Sequence, residues 1–591
     1  MNRFNFKVFR RFWAIAKPYW TGEQKWKARG LLLLIVLLLL AYTGLSVVIN
    51  TQRGELISAL SAKNESRFWR TTLIFVGVLV VYAPLLAGYT YLRDRLALAW
   101  RKWLTDSFVS RYFSDRAFYN INQFNAEIDN PDQRIAEDVK SFTQESLTLV
   151  LVVTDSVLEM IAFSGVLWGI SRELVLFLLA YAVLGTLVTV GVFGQPLVKL
   201  NFEQLKKEAN FRFSLVRVRE NAEAIAFYQG EDQESKQIKE RFMAAFNNYK
   251  SLLLWELSLN GLTNVYEFIP YVLPAIVVAP AVFGGEVEVG KVSEAQGAFI
   301  RVFFSLNVIV ARLQSLTAFG AGIDRLYDFA DALGPTESVD IDAEKVTESD
   351  KKKLTDNEEK ANSQQPIIRF EESPELTLKD LTLQTPNYQR TLIEDLSISL
   401  GKDDSLLVMG PSGCGKSSLM RAIAGLWNSG KGTIQRPELG NLLFLPQKPY
   451  MVLGSLRQQI RYPYPDVEIS EKQYQAVLEQ VNLPELIDRF GGLDTVEEWG
   501  DVLSLGEQQR LSFARVLVHQ PAYTILDEAT SALDRENEQQ LYKHLSMAQI
   551  AYVSVGHRDS LKDYHKSLLR LAEDHSWELS CVGSLTKTDK V

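Results

Sequence analysis

The chain has 591 residues, 47% of them hydrophobic, with 63 Lys and Arg against 71 Asp and Glu and a formal net charge of −8. That length implies several domains, and the small acidic excess averages two unlike halves: long apolar runs up to about residue 320 and a soluble α/β pattern after about residue 370. Only Cys414 and Cys581 are present, which excludes a disulfide framework and fits a reducing compartment for the C-terminal half.

Eight Lys or Arg and one acid, Glu23, precede the first apolar run, which begins near Gly30. A secretory signal has a shorter basic region and an apolar core of about 7–15 residues, so this run reads as a retained membrane span. Within residues 1–29, the stretch 4–20 interleaves aromatics with Lys7, Arg10, Arg11 and Lys17, which suits a helix lying in the cytoplasmic membrane interface. A basic leader without shape of its own is the plainer alternative.

Between residues 30 and 335, six runs are long enough to cross a hydrocarbon layer of about 30 Å: 30–50, 71–92, 147–170, 174–198, 261–283 and 294–316. Little more than Ser171, Arg172 and Glu173 separates the third from the fourth, which predicts a tight hairpin, and Pro270, Pro274 and Pro280 predict kinks in the fifth. Basic residues orient the set. The leader carries eight, the 93–145 connection eight and the 199–260 connection ten, against one each in 171–173 and 284–293; both termini and both long connections are therefore cytoplasmic. Residues 51–70 disagree, with Arg53, Lys63, Arg67 and Arg70. The two long connections are polar and helical in pattern, so the spans should continue as stalks joined by turns. Asp155 and Glu159, four residues apart and hence on one helical face, fall within the spans with Glu267 and Arg301, at about 2.5–3.5 kcal/mol for a charge at the bilayer centre. A wet cavity, pairing between subunits and a position nearer the interface each account for them.

Residues 336–369 are charged and poor in large apolar side chains, with Lys351-Lys352-Lys353 and a run from Glu358 to Gln365, and read as a flexible linker; a regulatory segment is the alternative.

From residue 370 onward one stretch dominates. Gly410-Pro411-Ser412-Gly413-Cys414-Gly415-Lys416-Ser417-Ser418 matches G-x-x-x-x-G-K-[ST] between an apolar strand, 405–409, and a helix-forming segment, 418–424. Small residues let backbone N–H groups turn inward around a phosphate chain, Lys416 reaches its terminal phosphates, and Ser417 offers a hydroxyl to Mg²⁺. Four further signals follow. The strand 522–528 ends in Asp527, suited to hold Mg²⁺, and Glu528, suited to polarise an attacking water. Ser504, Leu505, Gly506 and Glu507 open a helix running through Val518 and form an anion site at its N-terminus. Gln447 follows the strand 442–445, within reach of the metal or the attacking water. His557 follows the strand 551–555, within reach of the γ-phosphate. Each of these strands should end at the same sheet edge, where α/β proteins bind ligands.

In this order the motifs resemble the nucleotide-binding domain of ATP-binding cassette (ABC) transporters over about 370–575. Gly410–Ser417 is similar to Walker A, Gln447 to the Q-loop glutamine, Leu503–Gln508 to the LSGGQ signature with departures at Leu505 and Glu507, Ile525–Glu528 to Walker B, Ser531–Asp534 to the D-loop, and His557 to the switch histidine. Tyr388 is the candidate adenine-stacking aromatic, with an ordinary strand-turn tyrosine as its alternative. Residues 130–138 and 220–228 are similar to cytoplasmic motifs of the D subfamily, the peroxisomal fatty-acyl-CoA and lysosomal cobalamin group with its bacterial relatives, among them a mycobacterial importer of cobalamin and other hydrophilic compounds. The membrane half also looks like peptide-uptake proteins that lack a cassette.

The resemblance implies an α-helical membrane domain of six transmembrane helices with long cytoplasmic extensions, followed by an α/β P-loop nucleotide-binding domain. It further implies ATP and Mg²⁺ as cofactors, a homodimer in a lipid bilayer with each ATP held between one Walker A and the other subunit's signature, and ATP-driven alternating access for a small-molecule or peptide cargo. The expected membrane is a bacterial plasma membrane, an organelle membrane being the alternative. An ATP-gated channel is the competing reading from another class. The six spans argue against a soluble chromosome-type ATPase, and no nucleic-acid partner is expected.

Overall fold

The computed structural model describes residues 6–124, 128, 130–334 and 366–582, and the chain divides into two compact units, Met1–Glu344 and Lys345–Val591. Most of the expected linker, residues 335–365, lies outside the described residues.

Among the described residues of the first unit, five helices are long and apolar enough to cross a membrane: Lys25–Ser61, Glu65–Asn122, Pro131–Ile170, Arg172–Glu220 and Glu231–Phe283. The expected sixth span falls on two further helices, Gly290–Ala311 and Leu313–Ala332. Lys291, Glu294 and Arg301 stand within the first of these. At about 1.5 Å per residue, the 53 residues of Glu231–Phe283 span about 80 Å, far more than a hydrocarbon layer needs. This helix runs unbroken through Pro270, Pro274 and Pro280. Ser171 alone, in extended conformation, separates the third helix from the fourth. The fourth absorbs Pro196 just after a π-turn at Val190–Gly194, where the missing proline N–H costs no regular hydrogen bond.

The leader is helical over Phe6–Thr21, and one face of it is not at an interface with lipid. Val8, Ile15, Ala16 and Tyr19 are buried among the chain's own helices, with Tyr19 stacked on Trp100 at 5.6 Å. Arg11 pairs with Asp324 at 2.6 Å and Asp328 at 3.1 Å. Phe9 and Trp13 face outward. In the discordant basic loop, Arg67 meets Glu55 at 2.6 Å and Glu288 at 2.8 Å. In the 130–138 motif, Asp138 accepts from Arg134 at 3.1 Å and takes a two-pronged contact from Arg325 at 2.7 and 3.1 Å. Within the spans, Arg301 meets Glu159 at 2.6 Å and Ser305 donates to the same carboxylate at 3.1 Å. That pairing lies inside one chain, an arrangement not among those expected; Asp155 keeps one buried oxygen with no hydrogen-bond partner among the described residues.

Besides a short pair, β7 (Gly454–Ser455) with β8 (Val496–Glu497), the second unit contains two main sheets. Strands β1 (Arg369–Glu372), β2 (Leu376–Gln384), β3 (Thr391–Leu400) and β5 (Gly430–Arg436) form one, in the order β1-β5-β2-β3. The other runs β12-β11-β4-β10-β9-β6, from β4 (Ser405–Met409), β6 (Leu442–Leu445), β9 (Tyr523–Asp527), β10 (Ala551–Val555), β11 (Ser567–Leu571) and β12 (Trp577–Cys581). All its pairings are parallel except β11 with β12. Parallel strands buried on both faces should read as continuous apolar runs, and β4 and β10 do. Their C-terminal ends carry the site.

Candidate nucleotide-binding and hydrolysis site

The loop after β4 needs its glycines for backbone reasons. Gly413 and Gly415 have φ of +82° and +102°, which disfavour any side chain, and a Cβ on Gly415 would press Leu392 at 3.1 Å. Cys414 points into the core and is buried. Gly415 caps the helix Lys416–Ile423, so free amides of the first turn face the loop. Lys416 is nearly buried, and its ammonium donates to the carbonyls of Gly410 and Pro411, both at 2.8 Å. The ammonium is thereby held inside the curve of the loop.

Across the sheet edge, the Ser417 hydroxyl donates to Asp527 Oδ1 at 3.1 Å. Burial raises the Asp527 pKa, opposed by the Ser417 hydrogen bond and reinforced by the neighbouring Glu528 charge. A partly buried carboxylate beside a hydroxyl at the mouth of a phosphate loop suits a divalent cation. Among the described residues no three His, Cys, Asp or Glu side chains cluster as a metal site, so an Mg²⁺ here would complete its shell with phosphate oxygens and water.

Glu528 has left-handed backbone, φ +51°, and its amide donates to the Val555 carbonyl at 3.2 Å. Its carboxylate is held from two sides: Gln447 Nε2 donates to Oε2 at 2.9 Å and His557 Nε2 meets Oε1 at 3.1 Å. The ends of β6, β9 and β10 thus converge on one carboxylate.

Ser504 caps the helix Leu505–His519 and forms a capping box with Glu507, whose carboxylate accepts from the Ser504 amide and hydroxyl, both at 2.8 Å. Arg489 binds the other Glu507 oxygen at 2.5 Å. Burial pushes the Glu507 pKa up, but Ser504 and Arg489 together outweigh it, and the group stays below the usual carboxylate range. The departure at Glu507 therefore has a local structural reason. Leu505 is exposed; Gly506 lies against the D-loop, where a Cβ would approach the Ala532 carbonyl to 3.3 Å. Asp534 caps the next helix, Arg535–Met547, accepting from the Asn537 amide at 2.8 Å.

The expected residues therefore fall into two groups. Lys416, Ser417, Asp527, Glu528, Gln447 and His557 lie at one edge, whereas Ser504 and Glu507 bond to each other, Glu507 also to Arg489, and Gly506 lies against the D-loop. Ser412 is exposed and Ser418 lies in the first turn of the loop helix. Tyr388 sits half-buried on the β2–β3 turn with φ +57°, and none of these hydrogen bonds involves it. Sequence reading missed Arg489, Gln509 and Arg558. Gln509 is fully buried and bonds to the Gln447 loop and to the D-loop, while Arg558 donates to the carbonyls of Leu533 and Ser531, each at 3.0 Å. Only the Ser504-to-Glu507 spacing of the capping box carried a legible signal.

A phosphate loop, a metal-side serine–aspartate pair and a doubly held glutamate, joined to a bundle of membrane-length helices, define a membrane-bound nucleotide triphosphatase. The family described as ABC transporter transmembrane region 2 matches residues 15–283, and the ABC transporter family matches 393–531. An uncharacterised ABC transporter ATP-binding protein of Synechocystis is 41% identical over 95% of this chain and 83% of its own length. The chloroplastic ABC transporter D family member 2 of Arabidopsis thaliana is 39% identical over 97% and 88%, and the lysosomal cobalamin transporter of Mus musculus 32% over 98% and 97%. The chain belongs to the D family of ABC transporters. It is a multi-pass membrane protein whose ATPase activity is coupled to transport.

Proposed function

We propose that two copies of this chain, each contributing six spans, form a homodimer in which ATP clamps the cassettes together and its hydrolysis releases them. One observation carries this reading: the groups suited to bind metal and cleave a triphosphate gather at one sheet edge, while Ser504 and Glu507, at a separate helix N-terminus, share no hydrogen bond with them among the described residues. Lys416 and the loop amides would hold the phosphates, Tyr388 the adenine, and Ser417 with Asp527 an Mg²⁺ that offsets charge on the phosphate oxygens. Glu528, oriented by Gln447 and His557, accepts the proton of the attacking water. Ser504 and the amides at Gly506 face the terminal phosphate from the other subunit, Asp534 lines the boundary, and loss of that phosphate removes the bridge. The residues after 130 and 220 pass the motion to the spans, giving alternating access.

The name of one relative, a lysosomal cobalamin transporter, and the charged groups within the spans favour a hydrophilic or amphipathic cargo: a cobalamin-like compound, with a peptide or an acyl-CoA as the other candidates. The proposed location is a bacterial plasma membrane with the cassette in the cytoplasm, and the relatives named above include transporters but no channel. ATP-dependent accumulation of labelled cobalamin, peptide or acyl-CoA in sealed vesicles tests the reading. Uptake or extrusion abolished in Glu528→Gln is expected, and an ATP-gated ion current that persists when hydrolysis is blocked would favour a channel.

A further inference from the structure

We infer that Gln509 is a positioning residue that couples engagement of the signature helix to the hydrolytic glutamate of the same subunit, and so couples the two ATP sites of the dimer. Its side chain is fully buried within the helix Leu505–His519. The amide nitrogen donates to the Gln447 carbonyl at 3.0 Å and the Ser531 hydroxyl at 3.2 Å, and the amide oxygen accepts from the Ala532 amide at 3.0 Å. Both ends of one carboxamide are thus used, as a buried polar group requires.

What it joins gives it consequence. Gln447 is the residue whose side chain holds Glu528 at 2.9 Å, and the Ser531 amide closes a turn on the Glu528 carbonyl at 3.0 Å. Gln509 therefore fixes the backbone beneath the orienting glutamine and the turn that follows the base. Five residues earlier on the same chain, Ser504 caps the helix at the end that meets the partner's nucleotide in the proposed dimer. Gly506 lies beside the same D-loop, where a Cβ would meet the Ala532 carbonyl at 3.3 Å, and Arg558, next to His557, holds that loop through the Ser531 and Leu533 carbonyls. A small shift of this helix on meeting a phosphate moves three catalytic loops through bonds rather than through slack. The inference rests on the homodimer reading and adds the path by which one site senses the other.

The test uses the full-length protein in lipid nanodiscs and measures ATPase rate against ATP concentration, with the melting temperature and nucleotide binding recorded for each variant. Gln509→Glu keeps the acceptor for Ala532 but turns a carboxylate toward the Gln447 carbonyl; Gln509→Met keeps the volume and removes all three bonds. Both should leave KM within about twofold and lower kcat by about 100-fold, the cost of displacing a catalytic group by about 1 Å. A wild-type Hill coefficient above unity should fall to about unity in both. A packing role alone would lower the melting temperature and leave the Hill coefficient where it was. Unchanged kcat and Hill coefficient in either variant, or a fall in kcat with cooperativity retained, overturns the coupling. Wild-type turnover without cooperativity also overturns it and leaves the ATPase reading standing.

Discussion

Replacing Glu528 by Gln removes the proposed base while sparing the groups that bind nucleotide. General-base catalysis contributes about 10²–10⁴ in rate, equivalent to about 3–5 kcal/mol, so kcat should fall by that factor. An amide at 528 offers its oxygen to Gln447 Nε2, now at 2.9 Å from the carboxylate, and its NH₂ to His557 Nε2, now at 3.1 Å, which accepts in its other tautomer, so both bonds persist without their charge assistance. A loss of about 1 kcal/mol moves the melting point of a domain this size by about 2–4 °C. Among the described residues no hydrogen bond or ion pair joins Lys416 to Glu528, and the dissociation constant for ATP should stay within about threefold of wild type. Glu528→Asp supplies a control, because it keeps the carboxylate but withdraws it by one methylene from Gln447 and His557; displacement of that order costs about 100-fold. Phosphate release and binding of a fluorescent ATP analogue, measured on the same preparations, decide the matter. Turnover within threefold of wild type for Glu528→Gln, or a tenfold loss of binding, would refute the assignment.

Asp527 favours its proton when folded, because burial and Glu528 outweigh Ser417; it adds stability at acid pH that is lost as pH rises through its raised pKa. Asp527→Asn should therefore melt higher than wild type at neutral pH without nucleotide, yet lose Mg²⁺-dependent turnover, and a lower melting point would contradict this. His565, buried with Nδ1 against the Leu561 carbonyl at 2.6 Å and Nε2 against Ser554 at 2.8 Å, has its pKa lowered from 6.5 to about 4, first by desolvation. The unfolded chain takes up that proton first, so stability falls by roughly 3 kcal/mol between those two pH values, and His565→Gln should flatten the dependence of the melting point on pH over that window. In the membrane unit, Glu159→Gln should lower detergent stability by about 1–3 kcal/mol, less than a fully buried pair would give because Arg301 is 44% exposed. Adding Arg301→Gln should recover part of that loss in a thermal melt, and a further additive loss would show that the pair is not coupled.

Most of the cassette was legible because its chemistry is local. A phosphate loop must be glycine-rich between a strand and a helix, and Asp527 ends a short apolar strand while Gln447 and His557 each follow one, so their convergence on one parallel-sheet edge follows from topology. Gln509, Arg558 and Arg489 were not legible, because each acts on backbone or side chains 18 to 62 residues away in sequence and no periodicity marks such a contact. The membrane half divides in the same way. Length and hydropathy mark all six runs, but the division of the last between Gly290–Ala311 and Leu313–Ala332 is not legible in them, and the pairing of Arg301 with Glu159 joins residues 142 apart in sequence. The leader shows the limit of pattern reading. Its amphipathic sequence fits a lipid interface and a protein groove equally well, and the structure adds only that Val8, Ile15 and Tyr19 pack on the chain's own helices while Phe9 and Trp13 face outward.

The central claim is that nucleotide is shared between two copies, and a cross-link tests it most directly. Cysteines at Ser412, exposed in the phosphate loop, and at Ser504 are introduced into a Glu528→Gln background from which Cys414 and Cys581 have been removed. Mg²⁺ and ATP should produce an oxidative disulfide between subunits, seen as a dimer on non-reducing gels and lost when ATP is withheld. A protein that binds ATP yet stays uncrosslinked in every nucleotide state would contradict the account.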